Sequence, residues 1–405
     1  MSFTRKHIPA KTLCIIDIGS YKLRACGAKF KNKEIEVLAY GEKRQDLSYF
    51  ANNECLNLPG LCDNIGNIIS KIESESGYKF DDIVINYPFG ELFLGSKSIN
   101  YKRKHPHKKI DTTELLEILG SVEKLCLKHL AGKIDKFYGL SQKEVQILLS
   151  RVNSISIDSK KLDKVIGQEW ENMKISLLNA FIPSMKHSLI SQIGNVLGKN
   201  IYRILPSEYC ISKIFTQRNI LIVNLWATQT TLTLKYEWEL IGISKVSIWI
   251  NDLVSKISKN SSDTKAEIIH RLWQDECYSI EKKEFLSVWW ESLGITLAEL
   301  LWDKVCPKKM HVGWGWANNV FIKDFIKQHD FRKYGVKIVK NLEFINEDLA
   351  DIFTHMKNLK IEDIQKIPLD IYTLLYETNN IISKEKDVVS TCLKKAIKKL
   401  WYISS

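Results

Sequence analysis

A three-strand pattern that occurs once in each half of this 405-residue chain constrains its fold more than any other feature. Leu13–Ile16 is a continuous apolar run, the signature of a strand buried on both faces, and it ends in Asp17-Ile18-Gly19-Ser20. Strands follow at Lys22–Phe30 and, after the polar break Lys31-Asn32-Lys33, at Glu34–Ala39. In the second half Ile220–Asn224 is the buried run and Ala227-Thr228-Gln229 the turn, with Thr230–Tyr236 and Leu240–Ile248 as the strands that follow. One copy alone reads as an ordinary hairpin, in whose turns Asp, Gly and Ser are all common. Two copies predict an α/β protein of two similar lobes facing a cleft, where ligand sites tend to form. On that reading Asp17 faces a hydrated cation while the Gly19 and Ser20 amides face a phosphate.

The remaining elements are coarser. Helical spacing is expected over Asn64–Ser74, Asp111–Leu130, Ser184–Leu197 (closed by Gly198), Pro206–Phe215, Asp252–Ser258, Thr264–Trp273, Lys283–Val305 and Pro368–Tyr376. Further strands are expected at Asp82–Asn86, Phe93–Ile99, Glu144–Ser150, Val152–Ile157, Lys174–Phe181 and Ile201–Leu205. A hydrophobic content of 45% is ample for several folded cores. The excess of 59 Lys and Arg over 47 Asp and Glu attracts anionic partners. Nine cysteines without CxxC pairs or His/Cys clusters argue for a reducing compartment, against a disulfide framework and against a zinc site. Met1–Lys11 has no apolar core of the signal-peptide kind, and no run approaches the ~18 apolar residues of a membrane span. The basic run Lys102–Lys109 lacks interleaved aromatics apart from Tyr101, so it reads as a solvated loop rather than a nucleic-acid patch.

Asp17-Ile18-Gly19-Ser20-Tyr21-Lys22-Leu23-Arg24 resembles the first phosphate motif of the actin/Hsp70/sugar-kinase ATPase superfamily, most closely that of its FtsA-like cell-division branch. The resemblance implies an actin-like two-lobed ATPase fold that binds ATP and Mg²⁺. It sets lobe 1 at 11–88 and 183–216, with a small inserted α+β (SHS2-type) subdomain at 89–182. Lobe 2 falls at 217–257 and 306–376, the latter ending in the helix that closes the first lobe, with an outer helical subdomain at 258–305. It also places the second phosphate motif at 220–236 and the adenosine motif at 310–320. The implied nucleotide contacts are Asp17 (to Mg²⁺ through water), Gly19, Ser20, Lys22, Asn224, Gln229, Thr230, Glu267, Gly313 and Gly315. Departures from the family pattern are concentrated in lobe 2. Asn224 stands where the family has an acid, Trp226, Ala227 and Thr228 where it has glycines, and His270 where its adenine-side helix has Lys. An Asn brings no charge to a metal, and added Cβ atoms obstruct close backbone approach. Weak or absent hydrolysis is therefore expected, and Glu267 has the alternative of a plain exposed helix residue.

The chain ends in a polar connector, 377–387, and an amphipathic helix, 388–405. Val389, Cys392, Leu393, Ala396, Ile397, Leu400, Trp401 and Ile403 share one face, with Lys394, Lys395, Lys398 and Lys399 opposite. That is the pattern of a helix lying in an anionic membrane interface, where each lysine contributes about 1 kcal/mol. The alternative is a terminal helix packed on the protein's own core. The FtsA-like resemblance implies the first, with the protein at the cytoplasmic face of the membrane at the division site. The implied partner is the C-terminal tail of FtsZ, with self-association into filaments. Two other functions share the fold: a PilM-like scaffold for type IV pilus assembly, and a working ATPase or sugar kinase.

Overall fold

In a computed structural model of the chain, β1 (Lys11–Ile18), β2 (Lys22–Lys31) and β3 (Glu34–Arg44) form the antiparallel meander read from the sequence. The structure describes residues 10–51, 54–88, 92–157, 160–162, 164–225, 229–248, 250–273, 278–313, 325, 330–338, 343–344, 359–360, 367–384 and 387–404. The chain divides into two units, residues 1–214 with 349–405, and residues 215–348.

In the first unit, a short hairpin of β4 (Phe50–Ala51) and β5 (Glu54–Cys55) leads to α1 (Leu58–Ser76) and then β6 (Asp82–Asn86). Asn57 caps α1 through Gly60 N–H, Pro59 sits in its first turn, and Gly77 ends it in the left-handed region that glycine tolerates. Next come β7 (Phe93–Lys102), α2 (Thr112–Tyr138), β8 (Val145–Ile157), β9 (Lys160–Lys161) and β10 (Asn172–Pro183). They are followed by α3 (Ser184–Leu197), β11 (Asn200–Ile204) and α4 (Ser207–Ile214). β6 lies parallel to β1, and β11 parallel to β6.

The second unit repeats that plan. β12 (Ile220–Leu225), β13 (Thr230–Tyr236) and β14 (Glu239–Val246) form the meander. After α5 (Ile250–Ser258), α6 (Lys265–Trp273) and α7 (Ser279–Leu301), β15 (Lys309–Gly313) joins β12 in parallel, and β16 (Glu343–Phe344) joins β15. The chain then returns to the first unit as β17 (Leu359–Lys360), which lies parallel to β3, followed by α8 (Leu369–Ser383) and α9 (Val388–Ser404). The sheet orders are β11-β6-β1-β2-β3-β17 in the first unit and β16-β15-β12-β13-β14 in the second. A meander whose first strand is extended by parallel strands is thus built twice, and the first strand of each copy is buried because it has neighbours on both sides.

β7, β10 and β8 make an antiparallel sheet, and α2 covers it with Leu115, Leu119, Val122 and Cys126 buried against Ile155, Met173, Ile175 and Leu177. The basic run before α2 is organised by Arg103, whose side chain is fully buried. Its guanidinium donates to both Glu114 carboxylate oxygens at 2.8 Å and to the carbonyls of Pro106, Lys108 and Trp170. One of the run's cations is therefore a structural donor and not a surface charge.

One expectation for the C-terminus is corrected. The connector 377–387 is not a linker, because α8 runs on to Ser383 and buries Glu377, Thr378 and Asn379. These polar residues are inside because they have partners. Glu377 accepts from Tyr209 and Arg151, and Asn379 donates to the Lys33 carbonyl at 2.7 Å. Some of the residues expected to bind membrane lie on a helix face that has a partner within the protein. α9 packs on α2, with Cys392, Leu393 and Ala396 buried and Val389 and Ile397 half-buried in the same cluster. The helices approach closely because Gly120 faces Ala396, and Cys392 Sγ lies 3.8 Å from the Thr112 carbonyl. An apolar stripe has the same periodicity whether lipid or protein covers it, and here α2 covers it. Lys394, Lys395 and Lys398 point to solvent, while the side chains of Lys399, Leu400 and Trp401 lie outside the described residues. Among the described residues no helix is long and apolar enough to cross a membrane.

Candidate functional site: the two hairpin tips

The β1–β2 hairpin has a four-residue tip, residues 19–22, closed by Gly19 N–H donating to the Lys22 carbonyl at 3.0 Å. A Cβ on residue 19 would lie 2.8 Å from that carbonyl oxygen, so the turn needs glycine. The amide expected to face a phosphate is thus spent inside the turn. Gln45 reinforces it, its side chain donating to the Gly19 carbonyl and its backbone N–H to the Tyr21 carbonyl. Ser20 stands half-buried in the tip, and Lys22 is paired with Glu42 at 2.9 Å on the surface.

The same four-residue tip puts Asp17 opposite Arg24 in the strand register. Arg24 donates to Asp17 Oδ2 at 3.1 Å and to Asp370 Oδ2, in the first turn of α8, at 3.0 Å. Asn86 at the end of β6 donates to Asp17 Oδ1 at 2.7 Å, and its own carbonyl oxygen accepts from Ser207 N–H at the start of α4. Three strands, β1, β2 and β6, therefore meet at one carboxylate that is 2% exposed, with α8 and α4 joined to it through Arg24 and Asn86. Burial pushes the Asp17 carboxyl above its ordinary range, and the Arg24 charge and the Asn86 and Arg24 hydrogen bonds pull it back. Burial works against the Arg24 charge, but the facing Asp370 and Asp17 more than offset it.

In the second unit Asn224 occupies the position equivalent to Asp17, one residue from the end of β12 and opposite Thr231. It is fully buried, and neither its carbonyl oxygen nor its amide nitrogen has a partner among the described residues. Gly313 lies beside it in β15, where a Cβ would come within 2.8 Å of His311 Nε2 and 3.6 Å of Asn224 Oδ1. The His311 ring packs on Phe215 at 4.7 Å between centroids. The Thr230 hydroxyl accepts from the Trp289 indole N–H at 2.9 Å. Gln229 is buried next to it.

Glu267, one of the implied nucleotide contacts, forms a capping box at the start of α6. It accepts from Thr264 N–H and Oγ1 at 2.8 and 2.7 Å, while Thr264 Oγ1 accepts from Glu267 N–H. These bonds hold its carboxyl below the usual range. The Thr-x-x-Glu spacing was the signal that reveals this. Trp226, Ala227, Thr228, Gly315 and the rest of the adenosine motif beyond Gly313 lie outside the described residues.

The fold implies magnesium, and the described residues do not fit it. Both Asp17 oxygens are engaged, a guanidinium stands between Asp17 and Asp370, Lys22 is committed to Glu42, and Asn224 contributes no charge. Arg24 and Asp370, the residues that decide this, were not among those expected from the sequence.

The sequence matches no established family profile and no curated protein. Comparison of structures finds likeness to a chain of a PilM–PilN type IV pilus biogenesis complex, with 12% identity, a TM-score of 0.59, and coverage of 96% of this chain and 99% of that one. The ethanolamine utilization protein EutJ of Carboxydothermus hydrogenoformans is more distant, with 8% identity, 83% and 85% coverage, and a TM-score of 0.40. So is a Bacteroides thetaiotaomicron protein with an actin-like ATPase fold, at 9% identity, 90% and 95% coverage, and a TM-score of 0.37. The twice-built meander and the likeness along nearly the whole chain agree on one conclusion: this is a mixed α/β protein of the actin-like ATPase fold.

Proposed function

We propose that the chain is a PilM-like scaffold of a type IV pilus assembly, which uses the actin-like fold to hold an inner-membrane partner rather than to turn over ATP. The observation that carries this reading is the likeness to the PilM–PilN complex chain over 96% of the sequence. The first hairpin tip supports it, because its carboxylate, lysine and Gly19 amide are committed to partners within the protein. The division reading, in which a terminal helix tethers FtsZ filaments to lipid, requires α9 to leave α2, and the packing of Leu393 and Ala396 weighs against that. The test is co-purification of the full chain with a PilN-type partner. Stoichiometric recovery is expected. No recovery, together with a midcell ring of a fluorescent fusion and binding to the FtsZ tail, refutes the scaffold and restores the division protein.

A further inference from the structure

We infer that Arg24 is the resident cation of the first phosphate motif: its guanidinium, held between Asp17 and Asp370, takes the place a divalent ion would fill, and the chain binds no magnesium there. The observations are geometric. Asp17 and Asp370 come from elements far apart in sequence, β1 and the first turn of α8, and one Arg24 nitrogen lies 3.1 and 3.0 Å from their oxygens. The two carboxylate side chains are 3% and 4% exposed and Arg24 is 22% exposed, so the group is largely withdrawn from water. Two buried acids require a compensating charge. A metal usually supplies it in a site of this kind, but here a covalently attached cation does, and it cannot be stripped by a chelator. The remaining Asp17 oxygen is held by Asn86, which leaves the carboxylate no free edge to offer a hydrated ion.

The same contact makes Arg24 a strut. It ties the β1–β2 hairpin to the start of α8, the helix that also carries Glu377 to Arg151 on β8. In a nucleotide-driven protein of this fold that junction would have to respond to ligand, whereas here it is fixed by a side chain. The inference is independent of the pilus reading, since partner binding can fail with the cation result intact.

Mn²⁺ is the probe, added to the chelator-treated full chain and followed by the electron paramagnetic resonance of the free ion, with MgCl₂ as competitor. The wild type is expected to show no saturable site, and its melting temperature not to move with Mg²⁺. Arg24→Ala uncovers the two carboxylates. It is expected to gain one Mn²⁺ site, at least tenfold tighter than any wild-type binding, and a melting temperature that rises with Mg²⁺. Adding Asp17→Asn to R24A removes both effects. A folded R24A protein that binds no Mn²⁺ overturns the inference. So does a wild-type chain with a saturable Mn²⁺ site that D17N abolishes, and this wild-type arm decides the matter even where R24A fails to fold.

Discussion

Replacing Leu393 with alanine separates the two readings of the C-terminal helix. Leu393 is 2% exposed and sits among Leu115, Leu119, Val122 and Cys392. Removing its three outer carbons loses their transfer free energy and leaves a cavity, which for buried Leu→Ala changes costs about 3 kcal/mol. A chain of two units does not unfold as one two-state body, so the global midpoint is a poor readout. Native-state hydrogen exchange over α2 reports the contact directly. A loss of about 3 kcal/mol speeds exchange of the amides that α9 protects roughly a hundredfold. The solvent-facing control Lys398→Glu is expected to change exchange by no more than about 0.5 kcal/mol. Were α9 a membrane anchor free of the body, L393A would leave α2 untouched while weakening liposome binding. That pair of results refutes the packing argument.

Other outcomes follow from the buried polar groups. Glu377→Ala strands the Arg151 guanidinium and the Tyr209 hydroxyl, and is expected to cost about 3 kcal/mol in thermal unfolding of the first unit, with Glu377→Gln costing less. Glu123, fully buried on α2, accepts from Ser150 Oγ at 3.0 Å and from Asn179 at 3.5 Å, with no cation bonded to it among the described residues. Burial raises its carboxyl from 4.5 to about 7. Because the folded value is the higher one, the folded state holds the proton more tightly, so this contribution is fully present below about pH 4.5, falls as pH rises to about 7, and is flat above. The fall is worth about 3 kcal/mol, and stability curves of Glu123→Gln against pH should lack that segment. Gly27→Ala would put a Cβ 2.4 Å from the Phe80 ring, and is expected to cost about 1–3 kcal/mol by overpacking, read as faster native-state hydrogen exchange over β2.

Much of the architecture was legible because it depends on local patterns. The buried runs at Leu13 and Ile220 locate both meanders, and Ser184–Leu197 with Gly198 is found in the structure with the bounds the sequence predicts. What escaped the sequence depends on register and on partners. Asp17 and Arg24 face each other only because the tip has four residues, and Asp370 arrives from 346 positions beyond Arg24. The polar segment after Tyr376 reads as a connector until Arg151, Tyr209 and the Lys33 carbonyl are seen beside it. Glu267 carried a legible signal, the capping box with Thr264, which the family pattern overshadowed. The stripe on α9 determines that a helix forms and which face is covered, but not by what.

A scaffold of this kind binds its partner independently of nucleotide. Calorimetric titration of the full chain with the cytoplasmic segment of a PilN-type protein, once in EDTA and once in saturating Mg·ATP, measures this directly. The expected result is one-to-one binding with affinities equal within about twofold, a difference below about 0.4 kcal/mol. Binding that appears only with Mg·ATP and is lost in D17N would contradict it.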